Sequence, residues 1–114
     1  MKVGLRRVYD PPGAGEDLRV LVDRVWPRGI ARDKVDLWLK EIAPSADLRK
    51  WYGHVPERWP VFRQKYRKEL AANPEAVAEL RKAARGRKIT LLYGAKDRER
   101  NQAVVLAEYL GKKR

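Results

Sequence analysis

The chain has 114 residues, 44% of them apolar, which suits one domain (residues 1–114) with a buried core. It contains no cysteine, and this excludes disulfides, thiolate zinc sites and a cysteine nucleophile. Its net charge of +12 would attract polyanions such as nucleic acid. An Arg-rich composition is equally typical of solvated helix faces in a thermophile or a GC-rich genome, so charge alone does not select a partner.

The first residues lack the apolar core of a signal peptide. No apolar run approaches the roughly 20 residues of a membrane span. We therefore expect a cytoplasmic protein without a membrane partner.

The first half of the chain predicts strands. Residues 3–9 fit a first strand, and residues 10–15 form a loop because proline and glycine interrupt regular structure there. Residues 18–22 are almost continuously apolar, which is typical of a strand buried on both faces. Residues 35–42 fit the periods of both a strand and a helix, and we interpret them as a strand.

The second half predicts helices around one further strand. Ser45 is expected to cap a short helix that stops at Gly53. A helix beginning near Pro56 carries four aromatic or apolar residues three or four apart, and these are Trp59, Phe62, Tyr66 and Leu70. Asn73 is expected to cap the next helix, which Gly86 ends.

Residues 89–93 form the clearest strand, and Asp97 is expected to cap a last helix that Gly111 terminates. The alternation of strands and helices predicts an α/β fold. We expect a small, mainly parallel sheet of about four strands, covered by helices on both faces.

The most unusual segment is 20–29 (VLVDRVWPRG), where an apolar strand ends in an acid, two arginines, a tryptophan, a proline and a glycine. Parallel strands bring their carboxyl ends to one edge of the sheet, where α/β proteins bind ligands. Residues 23–24, 43–45 and 94–97 would then meet in one cleft. Arg24 and Arg28 could bind a phosphate or carboxylate there, or form ion pairs with Asp23 and Asp36.

The other candidate ligand-binding side chains of this cleft each have a structural alternative. Trp26 could stack on a ring, whereas the other tryptophans are expected in the core. Lys40 could contact an anion or remain solvated, and Tyr93 could present its hydroxyl or pack. Ser45, Asp97 and Asn101 lie at expected helix starts, where capping and anion binding can coincide; the full set is Arg24, Trp26, Arg28, Lys40, Ser45, Tyr93, Asp97 and Asn101.

Catalysis has only two weak candidates. His54, the one histidine, could act as an acid or base, or could cap or pack at a helix end. Asp23 could be a general base or could position an arginine. Nucleophilic triads, glycine-rich phosphate loops and metal-ligand spacings are absent from the sequence, so no cofactor and no metal are expected, and whether the protein is an enzyme stays open.

These residues together resemble the YeaO-like branch of the domain-of-unknown-function family numbered 488. The resemblance covers almost the whole chain and is carried by segments 7–10, 19–29, 36–40, 43–45, 48–54, 58–59 and 90–93, with Phe62 and Tyr66. It implies an α/β fold and little chemistry. A related branch has Cys at the position of Tyr93 and a Cys-His-Arg run near residues 101–103, so a thiol-dependent role of that branch does not carry over.

Two functional hypotheses follow. The first is a cleft for an anionic small molecule at the carboxyl edge of the sheet. The alternative is a nucleic-acid-binding module that uses basic helical surfaces and the C-terminal tail. Its residues would be Arg63, Arg67, Lys68, Arg81, Arg85, Arg87, Lys88 and the tail 112–114.

Overall fold

Four parallel strands form a single sheet in the computed structural model, which describes residues 2–111. The strands are β1 (Val3–Arg7), β2 (Leu18–Leu21), β3 (Leu37–Trp38) and β4 (Ile89–Tyr93), arranged in the order β1-β4-β2-β3. β4 pairs with β1 on one side and with β2 on the other, and all five of its residues are buried. The predicted α/β fold with about four parallel strands is confirmed.

Four α-helices supply most of the core on one face of this sheet. They are α1 (Ala46–Tyr52), α2 (Trp59–Ala71), α3 (Pro74–Ala83) and α4 (Gln102–Gly111). The helical spacing predicted for α2 is confirmed, since Phe62, Tyr66 and Leu70 are buried in the main core while Trp59 is partly buried. The buried Tyr66 hydroxyl donates a hydrogen bond to the Ile42 carbonyl at 2.7 Å, which pairs both groups.

The second face is covered differently. Val8, Leu21 and Leu92 form a small cluster there, and the loop between β2 and β3 packs over it with its tryptophan, Trp26. Trp38 meets the edge of Trp26 at a ring separation of 5.4 Å. This face therefore carries a loop with one 3₁₀ turn (Arg32–Lys34) in place of the α-helix that the α/β pattern suggested.

Several local predictions change in the structure. Residues 35–42 are not one strand, because only Leu37–Trp38 pair with β2 and Lys40–Ile42 form a 3₁₀ turn. Asn73 does not cap α3 with its side chain, which instead donates to the Glu41 carbonyl at 3.0 Å. α3 also ends at Ala83, before Gly86.

At the carboxyl end of the chain, α4 is described up to Gly111, and the basic tail 112–114 lies outside the described residues. Asn101, rather than Asp97, caps α4, because its side-chain oxygen accepts from the Val104 N–H at 3.1 Å. Within residues 2–111, no helix combines the length and apolar character that crossing a bilayer requires.

Candidate functional site

A cleft of about 330 Å³ opens at the carboxyl edge of the sheet. It is built where β2 and β4 end, and α1 and the start of α4 add further walls. Each of the three segments predicted to meet there contributes two residues to the lining, which are Asp23 and Arg24, Ala43 and Pro44, and Gly94 and Ala95. Trp26, His54 and Asn101 also line the cleft. The parallel sheet thus brings together residues that are far apart in the chain.

Asp23 lies two residues after β2 and is held by two donors, one just after the neighbouring strand β4 and one at the start of α4. Its Oδ2 accepts from the Gly94 N–H at 3.0 Å, and its Oδ1 accepts from the Gln102 side-chain amide. Burial raises the pKa of the Asp23 carboxyl to about 6, although these two hydrogen bonds and the nearby Arg49 charge favour the ionised form. The group therefore changes charge between mildly acidic and neutral pH.

Close approach of Asp23 depends on a glycine. A Cβ at Gly94 would lie 2.9 Å from Asp23 Oδ2, closer than a side chain tolerates. The sequence placed Gly94 in a segment expected to line the cleft but did not predict its contact with Asp23, and Gln102 was not singled out. The only local sign of their role is that a glycine follows a fully buried strand.

Arg24 is engaged by the protein itself, although not by the acids that the sequence suggested. Its Nε donates to the Pro44 carbonyl at 3.2 Å and an Nη donates to the Ala43 carbonyl at 3.1 Å. Asp36 accepts from the Arg19 backbone N–H instead, at 2.8 Å. The ion-pair alternative for Arg24 is therefore not found within residues 2–111. Its guanidinium is held instead by backbone carbonyls on another wall of the cleft.

The cleft contains two arginines with guanidinium nitrogens that no described protein group pairs, Arg49 and Arg100. Sequence reasoning singled out neither of them. Arg49, on α1, is exposed, and no side chain or carbonyl within residues 2–111 engages its guanidinium. Arg100 uses its Nε on Asp97 at 3.0 Å and leaves its other guanidinium nitrogens without a protein partner among the described residues. In the sequence Arg49 is an ordinary helical arginine four residues after the cap Ser45. Only the fold shows that it lines the cleft.

Aromatic and apolar side chains form the rest of the lining. Trp26 lies in the cleft, with its indole N–H donating to the Ile30 carbonyl at 2.9 Å. The Arg32 guanidinium lies over a Trp26 ring, 5.8 Å from its centre, so Arg32 covers one face on which a ligand could stack. Tyr9 and Tyr52, which the sequence did not single out, line the same cleft.

Asn101 and His54 lie in the cleft with different constraints. Asn101 is only 2% exposed; besides capping α4, its amide donates to the Asp97 carbonyl at 2.9 Å. The amide nitrogen and the amide oxygen of Asn101 thus each already have a protein partner. His54 is exposed and has a positive φ of 58°, and its ring centre lies 6.0 Å from that of Tyr52. Within residues 2–111, no three His, Asp or Glu side chains group closely enough to hold a metal ion.

The remaining predicted ligand residues lie outside the cleft lining. Arg28 and Lys40 are exposed, and the Lys40 ammonium lies 5.4 Å from a Trp38 ring centre. Tyr93 is buried in the main core. Asp97 accepts from the Glu99 and Arg100 N–H groups at 3.0 Å each and so forms a turn before α4.

Ser45 caps α1 as predicted, accepting from the Leu48 N–H at 3.1 Å. Its own N–H and hydroxyl donate to the Glu69 carboxylate at 2.8 and 2.7 Å. The Glu69 carboxylate of α2 therefore occupies the position at the start of α1 where the sequence allowed a ligand anion.

The basic residues of the alternative hypothesis divide into two groups. Arg63 binds Glu108 at 2.7 Å, and Arg67 lies 3.6 Å from the same carboxylate, so part of the α2 charge is neutralised; Lys68 is exposed. A second, shallow concavity of about 520 Å³ lies at the amino edge of the sheet. We call it the basic concavity, and its charged lining is Lys2, Arg81, Arg85, Arg87 and Lys88, with no acid among the residues described.

Comparison with known proteins identifies relatives over almost the whole length of the chain. The uncharacterized protein YeaO of Escherichia coli is 42% identical over 113 residues, covering 96% of this chain and 97% of its own. The uncharacterized protein Rv3073c of Mycobacterium tuberculosis is 41% identical over 111 residues, covering 96% and 93%. No solved structure matches. A family described as the inactive DUF488-N3 subclade matches residues 2–114. The chain therefore belongs to the inactive DUF488-N3 subclade, a YeaO-like branch of that domain family.

Proposed function

We propose that the carboxyl-edge cleft binds a small molecule with a phosphate or carboxylate group. The observation that carries this proposal is the pair of guanidinium groups of Arg49 and Arg100, which face an apolar-walled cleft without full protein pairing among residues 2–111. A guanidinium makes two parallel hydrogen bonds to a phosphate or carboxylate. Concave sites with a few polar groups on apolar walls are the usual form of a ligand site.

The cleft supports binding better than turnover. Arg24 and Asn101 are held by backbone groups, and the cleft offers no nucleophile paired with a base among the described residues. The description of the family as inactive supports the same reading. We therefore assign the cleft a ligand-binding role and leave it without a reaction.

Titration calorimetry with inorganic phosphate and with citrate tests this proposal. Arg49→Ala should weaken anion binding at least about tenfold, because one strong charged contact is worth about 1.4 kcal/mol or more. Arg28→Ala is the matched control, since Arg28 is exposed but outside the cleft, and it should leave affinity within about twofold of wild type. Equal losses in both variants, or no binding of either anion to wild type, would overturn the proposal.

A second candidate function is nucleic-acid binding through the basic concavity. The observation that favours it is the difference between the two basic surfaces: Arg63 is paired with Glu108, whereas the lining of the concavity contains no acid among the described residues. Unpaired cations release counterions from a phosphate backbone and so provide binding that weakens with salt.

Fluorescence anisotropy with a labelled oligonucleotide tests this second function. The variant Arg85→Glu/Lys88→Glu should lose most of the binding at low salt, whereas Arg63→Glu/Arg67→Glu should lose much less. The reverse order would refute a role for the concavity. An affinity that does not fall between 50 and 200 mM salt would also refute it.

A further inference from the structure

Tyr9 is an exposed aromatic side chain fixed in one position at the mouth of the cleft. It is 44% exposed, and its hydroxyl donates to the Arg28 carbonyl at 3.0 Å. The Arg7 guanidinium lies 4.7 Å from its ring centre and is itself held by the Ala95 carbonyl at 2.9 Å. An exposed ring held in this way loses little further rotamer freedom when a ligand stacks on it.

Val25 continues this apolar surface. It is 59% exposed, lines the same cleft as Tyr9, and adjoins Trp26 in the chain. Val61 is 42% exposed but lies outside the cleft lining, so exposure of a valine is not in itself unusual here. What distinguishes Tyr9 and Val25 is that their apolar surfaces adjoin guanidinium groups and a carboxyl in one cavity.

Asp23 adds a hydrogen-bond acceptor to the same cavity. Each of its carboxylate oxygens accepts one hydrogen bond, from Gly94 and from Gln102, so each retains acceptor capacity. A ligand anion would be repelled by the ionised Asp23 and attracted by Arg49 and Arg100. The cleft therefore favours a ligand whose anionic group and N–H donor are at separate positions.

We propose that the cleft is selective for aromatic molecules that carry both an anionic group and an N–H donor. The ring would lie against Tyr9 and Val25, the anion on Arg49 and Arg100, and the N–H on Asp23. A purine nucleoside monophosphate and an aromatic amino acid both have this chemistry, and they differ in the anion and in the donor. This inference rests on the proposed function, because it requires that the cleft bind anions.

The test is titration calorimetry with two matched series. The phosphate series is guanosine monophosphate, purine riboside monophosphate, which lacks base N–H donors, and ribose 5-phosphate. The carboxylate series is phenylalanine, 3-phenylpropionate, which lacks the ammonium group and has no other N–H, and acetate. In at least one series the complete molecule should bind at least about tenfold more tightly than the fragment without the ring, and more tightly than the analogue without the donor.

Variants then locate the ring and separate the two proposals. Tyr9→Ala should reduce binding of the complete molecule to that of its fragment, whereas Tyr9→Phe, which retains the ring, and Val61→Ala, outside the cleft, should not. If phosphate or citrate binds through Arg49 while neither complete molecule exceeds its fragment or its donor-free analogue, the selectivity is refuted and the anion site remains. If no anion binds, both proposals are refuted.

Discussion

The carboxyl-edge cleft and the basic concavity both contain several cationic side chains. Only the cleft also contains charged side chains that hydrogen bonds from other parts of the fold hold in place. In the cleft, Asp23 and Arg24 are each held by two hydrogen bonds from segments distant in sequence. The cations of the concavity are exposed and make no ion pair or side-chain hydrogen bond within residues 2–111. The two regions thus have exposed, unpaired cations in common, since Arg49 of the cleft is as unpaired within residues 2–111 as the cations of the concavity. They differ because only the cleft also contains charged groups, Asp23 and Arg24, that hydrogen bonds hold in place.

This difference teaches what each region can recognise. Groups held by the fold keep their geometry before a ligand arrives, so they can discriminate shape and hydrogen-bonding pattern. Exposed cations without protein partners interact with charge over a distance set by salt and discriminate little between ligands. If the comparison is right, substitutions in the cleft should cost folding stability, whereas those in the concavity should not.

The largest expected effect is a pH dependence at Asp23. Its pKa is 3.8 in its ordinary state and about 6 in the folded protein, so the unfolded chain releases the proton first as pH rises. The contribution of Asp23 to stability should therefore fall between about pH 4 and 6 and then level off, by about 3 kcal/mol at most. Asp23→Asn should abolish this fall.

Urea unfolding of wild type and Asp23→Asn at intervals from pH 4 to 8 measures the effect. The variant should gain stability relative to wild type as pH rises, because contributions from other titrating groups cancel in the difference. A difference that stays constant across this range would contradict a perturbed Asp23.

Gly94→Ala should be the next most costly change, at about 2 kcal/mol of unfolding free energy. The new Cβ would lie 2.9 Å from Asp23 Oδ2 and displace a carboxylate that two donors hold. Gly111→Ala is the matched control, because a Cβ there meets nothing within 4 Å, and in a helix alanine is the more favourable residue. Thermal unfolding of both variants should show a loss only for Gly94→Ala; equal behaviour would contradict the close approach.

Arg24→Ala should destabilise the protein by about 1.5 kcal/mol, because the carbonyls of Ala43 and Pro44 lose a charged donor. Arg28→Ala should change stability by less than about 0.5 kcal/mol, since its side chain is exposed. Denaturant midpoints of the two variants give the comparison. A larger loss of stability for Arg28→Ala than for Arg24→Ala would contradict the structural role assigned to Arg24.

The smallest effects are expected at the basic surfaces. Arg63→Ala should cost about 0.5 kcal/mol or less, because the pair with Glu108 is exposed and screened. Arg85→Ala should cost nothing measurable, because no ion pair within residues 2–111 involves it. Repeating both unfolding measurements in 0.5 M salt should reduce the Arg63→Ala loss, and a substantial loss for Arg85→Ala would contradict the comparison.

Local features of the chain were predicted well because their causes are local. Ser45 caps α1 through an N–H three residues away, and the spacing of Phe62, Tyr66 and Leu70 gives the buried face of α2. The strand at residues 89–93 is recognisable because a nearly continuous apolar run, interrupted only by Thr90, suits a strand covered on both faces. Where two local signals competed, as at Asp97 and Asn101, the sequence did not reveal which residue caps α4.

The sequence by itself thus determined the α/β class, the buried faces of the main helices and the edge of the sheet at which the cleft lies. The tertiary structure alone decided which cations of the cleft are open. In the sequence Arg24 could equally bind a ligand or pair with an acid, but the fold places the carbonyls of residues 43 and 44 within its reach. Arg49 looked ordinary, but the fold places it beside Asp23, which lies 26 residues earlier in the chain. The physical reason is that hydrogen-bond partners across a parallel sheet come from distant segments, and local sequence patterns do not encode those pairings.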